Sequence, residues 1–219
     1  MTASILRNTQ LYRWSRFLRS LIFWQAVWFL YFQNVLSATA AILLYAVYDV
    51  AATLLEVPSG YMSDRLGRKK TLIASAIAGL GGSFLVAIGD SFAVFAAGQV
   101  LIGTSMAFAS GTDEAMLYES LTATGRADEI EKQEIIAWRY SFSALTLSAL
   151  TGGALTLIDP RLPIVGGALA FGGLFWITMR FVEPPRSSNT NEGSELLRLS
   201  GLGAIFKIPS CCGSSCLAS

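Results

Sequence analysis

Between two long apolar runs the chain reads Gly60-Tyr61-Met62-Ser63-Asp64-Arg65-Leu66-Gly67-Arg68-Lys69-Lys70-Thr71. Gly60 and Gly67 let the backbone turn sharply where two helices meet. Asp64, Arg65 and Arg68 bring opposite charges close enough for a charge-assisted network at a membrane surface. The basic excess, completed by Lys69 and Lys70, holds such a loop on the cytoplasmic side.

Outward from this loop the sequence is mostly apolar. Of 219 residues, 53% are hydrophobic and 14% charged, with mean hydropathy +0.52. A soluble domain carries about 25% charge, so the chain reads as a membrane protein. A spanning helix needs about 20 mostly apolar residues. Six windows qualify: Ser20–Ser37, Ala38–Tyr61, Thr71–Gly89, Phe92–Ser110, Ile135–Leu157 and Pro163–Val182. The expected fold is an all-α membrane protein, a six-helix transmembrane bundle over residues 20–182. Residues 1–19 form a cytoplasmic flank and residues 183–219 a cytoplasmic tail.

Basic residues set the direction. The first flank holds Arg7, Arg13, Arg16 and Arg19; the loop after span four holds Arg126 and Lys132; Arg180 and Arg186 border the end of span six. The loops on the other side carry no Lys or Arg apart from Arg161. Both termini are therefore expected in the cytoplasm, with the protein multi-pass in the cell membrane. Four arginines, an apolar run and Ala38-Thr39-Ala40 imitate a signal peptide. The run is long and aromatic, and a second span follows at once, so a retained first helix is the better reading.

The 60–71 pattern resembles the G-x-x-x-D-R-x-G-R-K signature of the major facilitator superfamily, between its second and third helices. Glu56-Val57-Pro58-Ser59 before the loop and Ser110-Gly111-Thr112-Asp113-Glu114-Ala115 at the end of span four add to the likeness. They resemble a branch with E-x-P-S-G before the loop and S-G-x-D-E-A ending helix four. The likeness spans Arg16 to Arg186 and implies the N-terminal six-helix half of a secondary transporter that moves a small solute by alternating access. It implies a gating role for Gly60, Asp64, Arg65, Gly67, Arg68 and Lys69. Asp64 would face a second half, and Arg68 would pair with Asp113 or Glu114. Two departures stand beside this. Against the R-x-x-Q-G pattern of proton-coupled relatives, Gln99 and Ile102 replace the Arg and Gln. Against the G-P-x-x-G-G of drug/proton antiporters, Ser148–Gly153 keeps only the paired glycines.

Polar residues at membrane depth are candidates for the solute or proton path. In span two the apolar residues contribute roughly −0.3 to −0.6 kcal/mol each, against about +2.5 to +3.5 for the central Asp49. Asp49 should then face a cavity or a neighbouring helix. Tyr45, Asp49, Thr53, Glu56 and Gly60 fall at helical steps on one stripe, as do Gln99, Gly103, Met106, Ser110 and Asp113 on span four. Arg139, Ser143 and Thr146 on span five and Gln25 on span one complete the set. Interhelical hydrogen bonding is the alternative role for the same residues. Gly79, Gly82, Gly166, Gly167, Gly172 and Gly173 read as packing positions, and Trp24 and Trp28 as packing or cavity wall.

No enzyme, cofactor or metal site is expected: His is absent and the carboxylates are scattered. A net charge of +1 gives no basic patch for nucleic acid. Ser187–Ser194 reads as flexible, and Leu196–Ile208 as a short amphipathic helix or the start of a seventh span. Cys211, Cys212 and Cys216 read as a tail without structural role, an S-acylation site or a metal clip. Because the family usually has about twelve spans with solute between two halves, three readings of the six stay open. In order of preference, the chain is a truncated or frameshifted transporter inactive as a lone half, a half that pairs with a second half or a second copy, or a membrane interaction protein derived from a transporter. The expected partners are the lipid bilayer and a small solute.

Overall fold

The computed structural model describes residues 2–184. The expectations for Ser187–Ser194, Leu196–Ile208 and the three cysteines lie outside the described residues. All regular structure among the described residues is helical: α1 (Thr2–Arg19), α2 (Trp28–Gln33), α3 (Ala38–Leu66), α4 (Arg68–Ile88), α5 (Phe92–Ala109), α6 (Thr112–Ala123), a 3-10 turn (Ala127–Glu129), α7 (Ile130–Thr156) and α8 (Leu162–Arg180). The Ser37 hydroxyl caps α3 by accepting from Ala40 N–H at 3.3 Å. Gly67 separates α3 from α4 at φ +104°, a value that other residues rarely adopt. We call the end of the bundle that holds this turn the basic end.

Among the described residues, four elements are long and apolar enough to cross a membrane: α3, α4, α5 taken together with α6, and α8. They correspond to the second, third, fourth and sixth expected spans. The other two need a physical account. In span five, α7 is rich in hydroxyls, which lower its hydropathy. Ser143, Thr146, Ser148, Thr151 and Thr156 each donate to a carbonyl three or four residues back, so these groups are satisfied within the helix.

Span one differs from the continuous helix expected over Ser20–Ser37. Helix already starts at Thr2, unwinds between residues 20 and 27, and resumes only as the short α2. Across the gap Leu21 and Gln25 N–H donate three residues back, and Ile22 only two, to Ser20 O. Two neighbouring helices receive the segment closely. A β-carbon on Gly152 of α7 would strike the Phe23 carbonyl, and one on Gly167 of α8 would strike the Trp24 indole. These two glycines seat the unwound segment. Nor is residues 2–19 a bare flank: Asn8, Tyr12 and Ser15 are buried, and α1 packs on α6, α7 and α8.

The main helix neighbours form the series α3, α5, α4, α8, α1, α7. Exchanging the first three spans for the last three maps this series onto itself. The pair α3 with α5 becomes α7 with α1, α4 with α5 becomes α8 with α1, and α4 with α8 is unchanged. The breaks obey the same exchange, since span one breaks between α1 and α2 and span four between α5 and α6. The largest buried cluster includes Tyr31, Phe32, Leu44, Val86, Phe95 and Ile102, on the side of the bundle opposite the basic end and toward its middle. Of the expected packing glycines, Gly79, Gly82, Gly166, Gly167 and Gly173 meet neighbouring helices or the unwound segment, whereas Gly172 has open space beside it.

Candidate functional site

At the basic end, the 60–71 turn is held by charge. Arg68 donates from Nε (3.1 Å) and Nη2 (3.0 Å) to one oxygen of Glu119. Its Nη1 reaches Ser63 Oγ at 2.8 Å and Asp64 at 2.6 Å. The expected pairing of Arg68 with Asp113 or Glu114 is therefore corrected. Span four does not end at Ser110 but continues through α6, and Glu119, farther along α6, is the acid level with Arg68. Glu114 is exposed. Arg65 stacks over Tyr61 at 4.9 Å.

A residue outside every motif completes this end. The Glu183 carboxylate accepts Arg68 N–H at 2.7 Å and Lys69 N–H at 2.9 Å. It thus satisfies two free donors at the N-terminus of α4, where the helix dipole favours negative charge. The stretch after α8 is tied in as well: Phe181 is buried, and Asn8 both donates to Val182 O (2.8 Å) and accepts from Val182 N–H (3.1 Å).

Deeper in the bundle lies a second cluster. Asn8 marks the level of the basic end, and Arg19 sits about 16 Å further along α1 at ~1.5 Å per residue. Arg19 Nη1 contacts Asp113 Oδ2 at 2.6 Å, and Arg16 Nη1 contacts the same oxygen at 3.8 Å. Asp113 is 3% exposed and Arg19 10% at the side chain, so the pair is largely removed from water. Each charge suits its helix end: the arginines stand in the last turn of α1 and Asp113 in the first turn of α6. Arg16 also lies over the Trp138 ring at 5.0 Å. Among the described residues, Arg16 Nε, Arg19 Nε, Arg19 Nη2 and Asp113 Oδ1 are buried without a hydrogen-bond partner.

Arg19 also lines a recess of about 100 Å³. The walls come from the unwound segment and α2 (Trp24, Gln25, Trp28, Tyr31), α3 (Tyr45, Tyr48), α4 (Ser83, Val86), α5 (Gln99, Ile102, Met106) and α8 (Ile164, Phe171). Exposed Gln25 and Tyr45 stand at its open side, and Trp28 stacks on Tyr45 at 5.0 Å. Trp24 and Trp28 are thus both packing groups and wall. Buried Ser83 Oγ is another unpartnered polar atom among the lining residues.

The expected path residues divide. Gln25 and Gln99 line the recess together. Asp49 is exposed on α3 outside it, with Tyr45, Thr53, Glu56 and Gly60 exposed on the same stripe. Glu56 accepts a hydrogen bond from Ser110 Oγ at 3.1 Å. Arg139 is exposed and borders a separate shallow recess with Asp128, Glu131 and Lys132. Gly103 is a contact point with α3, where an added β-carbon would meet Tyr48 O. The sequence reading missed Arg19, Glu119 and Glu183. A signal for Arg19 existed: Asn8, Tyr12, Ser15 and Arg19 repeat at helical spacing, a polar stripe in what was read as a flank. Among the described residues no group of three or more His, Cys, Asp or Glu is placed to hold a metal.

The comparisons with known proteins agree with this architecture. The profile of the Major Facilitator Superfamily matches residues 11–218. A search of curated proteins finds no match. The signature turn, the exchange of three spans for three and the extent of the profile match lead to one assignment: the chain belongs to the Major Facilitator Superfamily, whose members are multi-pass membrane transporters and not enzymes.

Proposed function

We propose that this chain forms one six-helix half of a secondary transporter, with the recess at the two broken spans as its share of the solute site. The carrying observation is that discontinuous helices meet at the repeat interface, as they do around solute sites in other transporters. The 60–71 turn, clasped by Glu119 and Glu183, is the gate element on the cytoplasmic side, and both termini lie on that side of the cell membrane. Residues 2–19 belong to the first span, and the chain after residue 183 is cytoplasmic. The exposed stripe of Tyr45, Asp49, Thr53 and Glu56 favours a second six-helix unit against α3, either a further half or a second copy of this chain. Asp49 and Glu56 would then meet the solute or proton path only in the assembled pair.

Side-selective thiol labelling in sealed vesicles tests this reading without knowledge of the substrate. With Cys211, Cys212 and Cys216 replaced by Ser, a Gln99→Cys variant should react with an impermeant reagent from one face only. Adding Arg68→Ala, which loosens the gate clasp, should raise reaction from the opposite face several-fold. Equal labelling from both faces, or no response to Arg68→Ala, would leave the chain as a membrane interaction protein without alternating access.

A further inference from the structure

We infer that the recess takes a small organic anion with a flat apolar body, its negative group held by Arg19. The inference rests on the transport reading and adds the substrate class. Three observations carry it. First, the charges do not balance. Arg16 and Arg19 share the single carboxylate of Asp113, and among the described residues no other carboxylate lies within ion-pair distance of either arginine. A buried excess of positive charge is unfavourable unless a counter-ion arrives.

Second, the donors left over belong to Arg19. Its side chain is only 10% exposed, and its Nε and Nη2 have no partner among the described residues. The fixed fork of guanidinium N–H groups matches a carboxylate or phosphate edge. Arg16 is different, because its guanidinium already lies over Trp138 and does not line the recess. In the present state the free donors of Arg19 are covered from water, so a ligand engages them by a rotation of the guanidinium. Ser83 Oγ supplies another unpartnered polar group in the lining.

Third, apart from Gln25 and Gln99 the remainder of the wall is apolar, mostly aromatic and aliphatic. Trp24, Trp28, Tyr45 and Tyr48 offer flat faces, and Val86 and Ile102 close the inner side. Such a lining suits a ring or short apolar body attached to one anionic group. The two charged side chains stand at the inner ends of two broken spans, so a ligand seated there touches both structural repeats at once.

Equilibrium binding to the full chain in lipid nanodiscs tests the inference, with radiolabelled benzoate and phenyl phosphate as anionic probes. Saturable binding of either anion is expected, with benzyl alcohol and benzylammonium failing to compete. Arg19→Gln should weaken binding at least about tenfold, the equivalent of about 1.4 kcal/mol. Arg126→Gln, in the exposed loop after α6, should leave binding unchanged. Among the described residues, Arg19→Gln leaves Asp113 only the 3.8 Å contact with Arg16 and removes the positive excess. The double variant Arg19→Gln/Asp113→Asn, which restores the net charge of the wild-type cluster, therefore provides a charge-matched check and should bind as weakly. Absence of saturable binding by both anions, equal competition by the neutral or cationic probe, or wild-type binding in the double variant overturns the anion assignment. One-sided labelling of Gln99→Cys would still uphold the transport reading in those cases. Conversely, anion binding with symmetric labelling keeps the binding site and removes the transport reading.

Discussion

At the basic end Arg68 places Nε, Nη1 and Nη2 on protein acceptors, and the Glu183 carboxylate uses both oxygens on backbone N–H groups. About 9 Å deeper, six residues before Glu119 on α6 at ~1.5 Å per residue, Asp113 is shared by Arg16 and Arg19, and Arg19 leaves two donors empty among the described residues. The chemistry is the same in both places, an arginine against an acid between packed helices. The first cluster is closed upon itself and fixes the relation of α3, α4, α6 and the end of α8. The second is open by one anion's worth of bonding. A saturated cluster stabilises one geometry, whereas an unsaturated buried one is stable only relative to something that completes it.

Mutations separate the two. Asp113→Ala removes the one counter-charge that the described residues give Arg16 and Arg19 and should cost about 3–5 kcal/mol, the largest loss expected, read as a lowered unfolding midpoint in detergent. If the cluster is open as described, the double variant Arg19→Gln/Asp113→Asn recovers more than half of that loss. A double variant as unstable as the single would show instead that Arg19 has structural partners of its own. Arg68→Ala should cost less, about 1.5–3 kcal/mol for hydrogen bonds to charged groups. Here Arg68→Lys should recover under half, because the donors of an ammonium radiate from a single nitrogen and lack the planar fork that reaches Glu119 from Nε and Nη2 and Ser63 and Asp64 from Nη1. Full recovery by Lys would reduce the clasp to a simple charge effect.

The smallest effect belongs to an exposed pair that resembles neither cluster. The hydrogen bond from Arg126 holds the Glu129 carboxyl below its ordinary value of 4.5. A carboxylate with a lowered folded pKa contributes stability above its unfolded value, and that contribution disappears as pH falls through the folded one. The difference in unfolding midpoint between the wild type and Glu129→Gln should therefore be small at neutral pH and vanish in acid. A difference that grows in acid would reverse the sign of this assignment.

Much of the basic end was legible because its groups are local. Gly67 precedes Arg68, Asp64 lies one turn before it, and the loop pattern carries both. Glu119 and Glu183 are remote in sequence, and no spacing rule brings them to the start of α4. The second, third, fourth and sixth spans were legible from continuous apolar runs. Span one misled for a definite reason: Ile22, Phe23, Trp24, Ala26 and Val27 are apolar and include neither Gly nor Pro, so nothing local marks an unwinding. The glycines that seat the segment stand on α7 and α8; Gly167 read there only as a packing position, and Gly152 only as one of a retained pair of glycines. Arg19 misled for a related reason, since an arginine beside an apolar run looks like a boundary until its own helix is traced back to Asn8. Parts of the recess could be anticipated, at Gln25 and Gln99, at Tyr45 and Met106 on the expected stripes, and at Trp24 and Trp28 as packing or wall. Asp49 and Arg139, the strongest candidates by charge, turn outward from it.

The unwound segment has a consequence in time. Peptide groups released into lipid without partners are costly, so a newly inserted first span should be helical throughout until something imposes another shape. The seats of Phe23 and Trp24 are on α7 and α8, the last two spans of the described chain to be synthesised. The earliest apolar stretch to enter the membrane would thus be the last to reach its mature form, unwinding as the later helices dock. Gly167→Leu fills the seat of Trp24, and added helix in its circular dichroism spectrum would show the first span arrested at that earlier stage. Unchanged helix content would mean that the unwinding is intrinsic to residues 20–27. On the docking account, the continuous helix read from the sequence describes the protein's infancy, and the broken one its adult state.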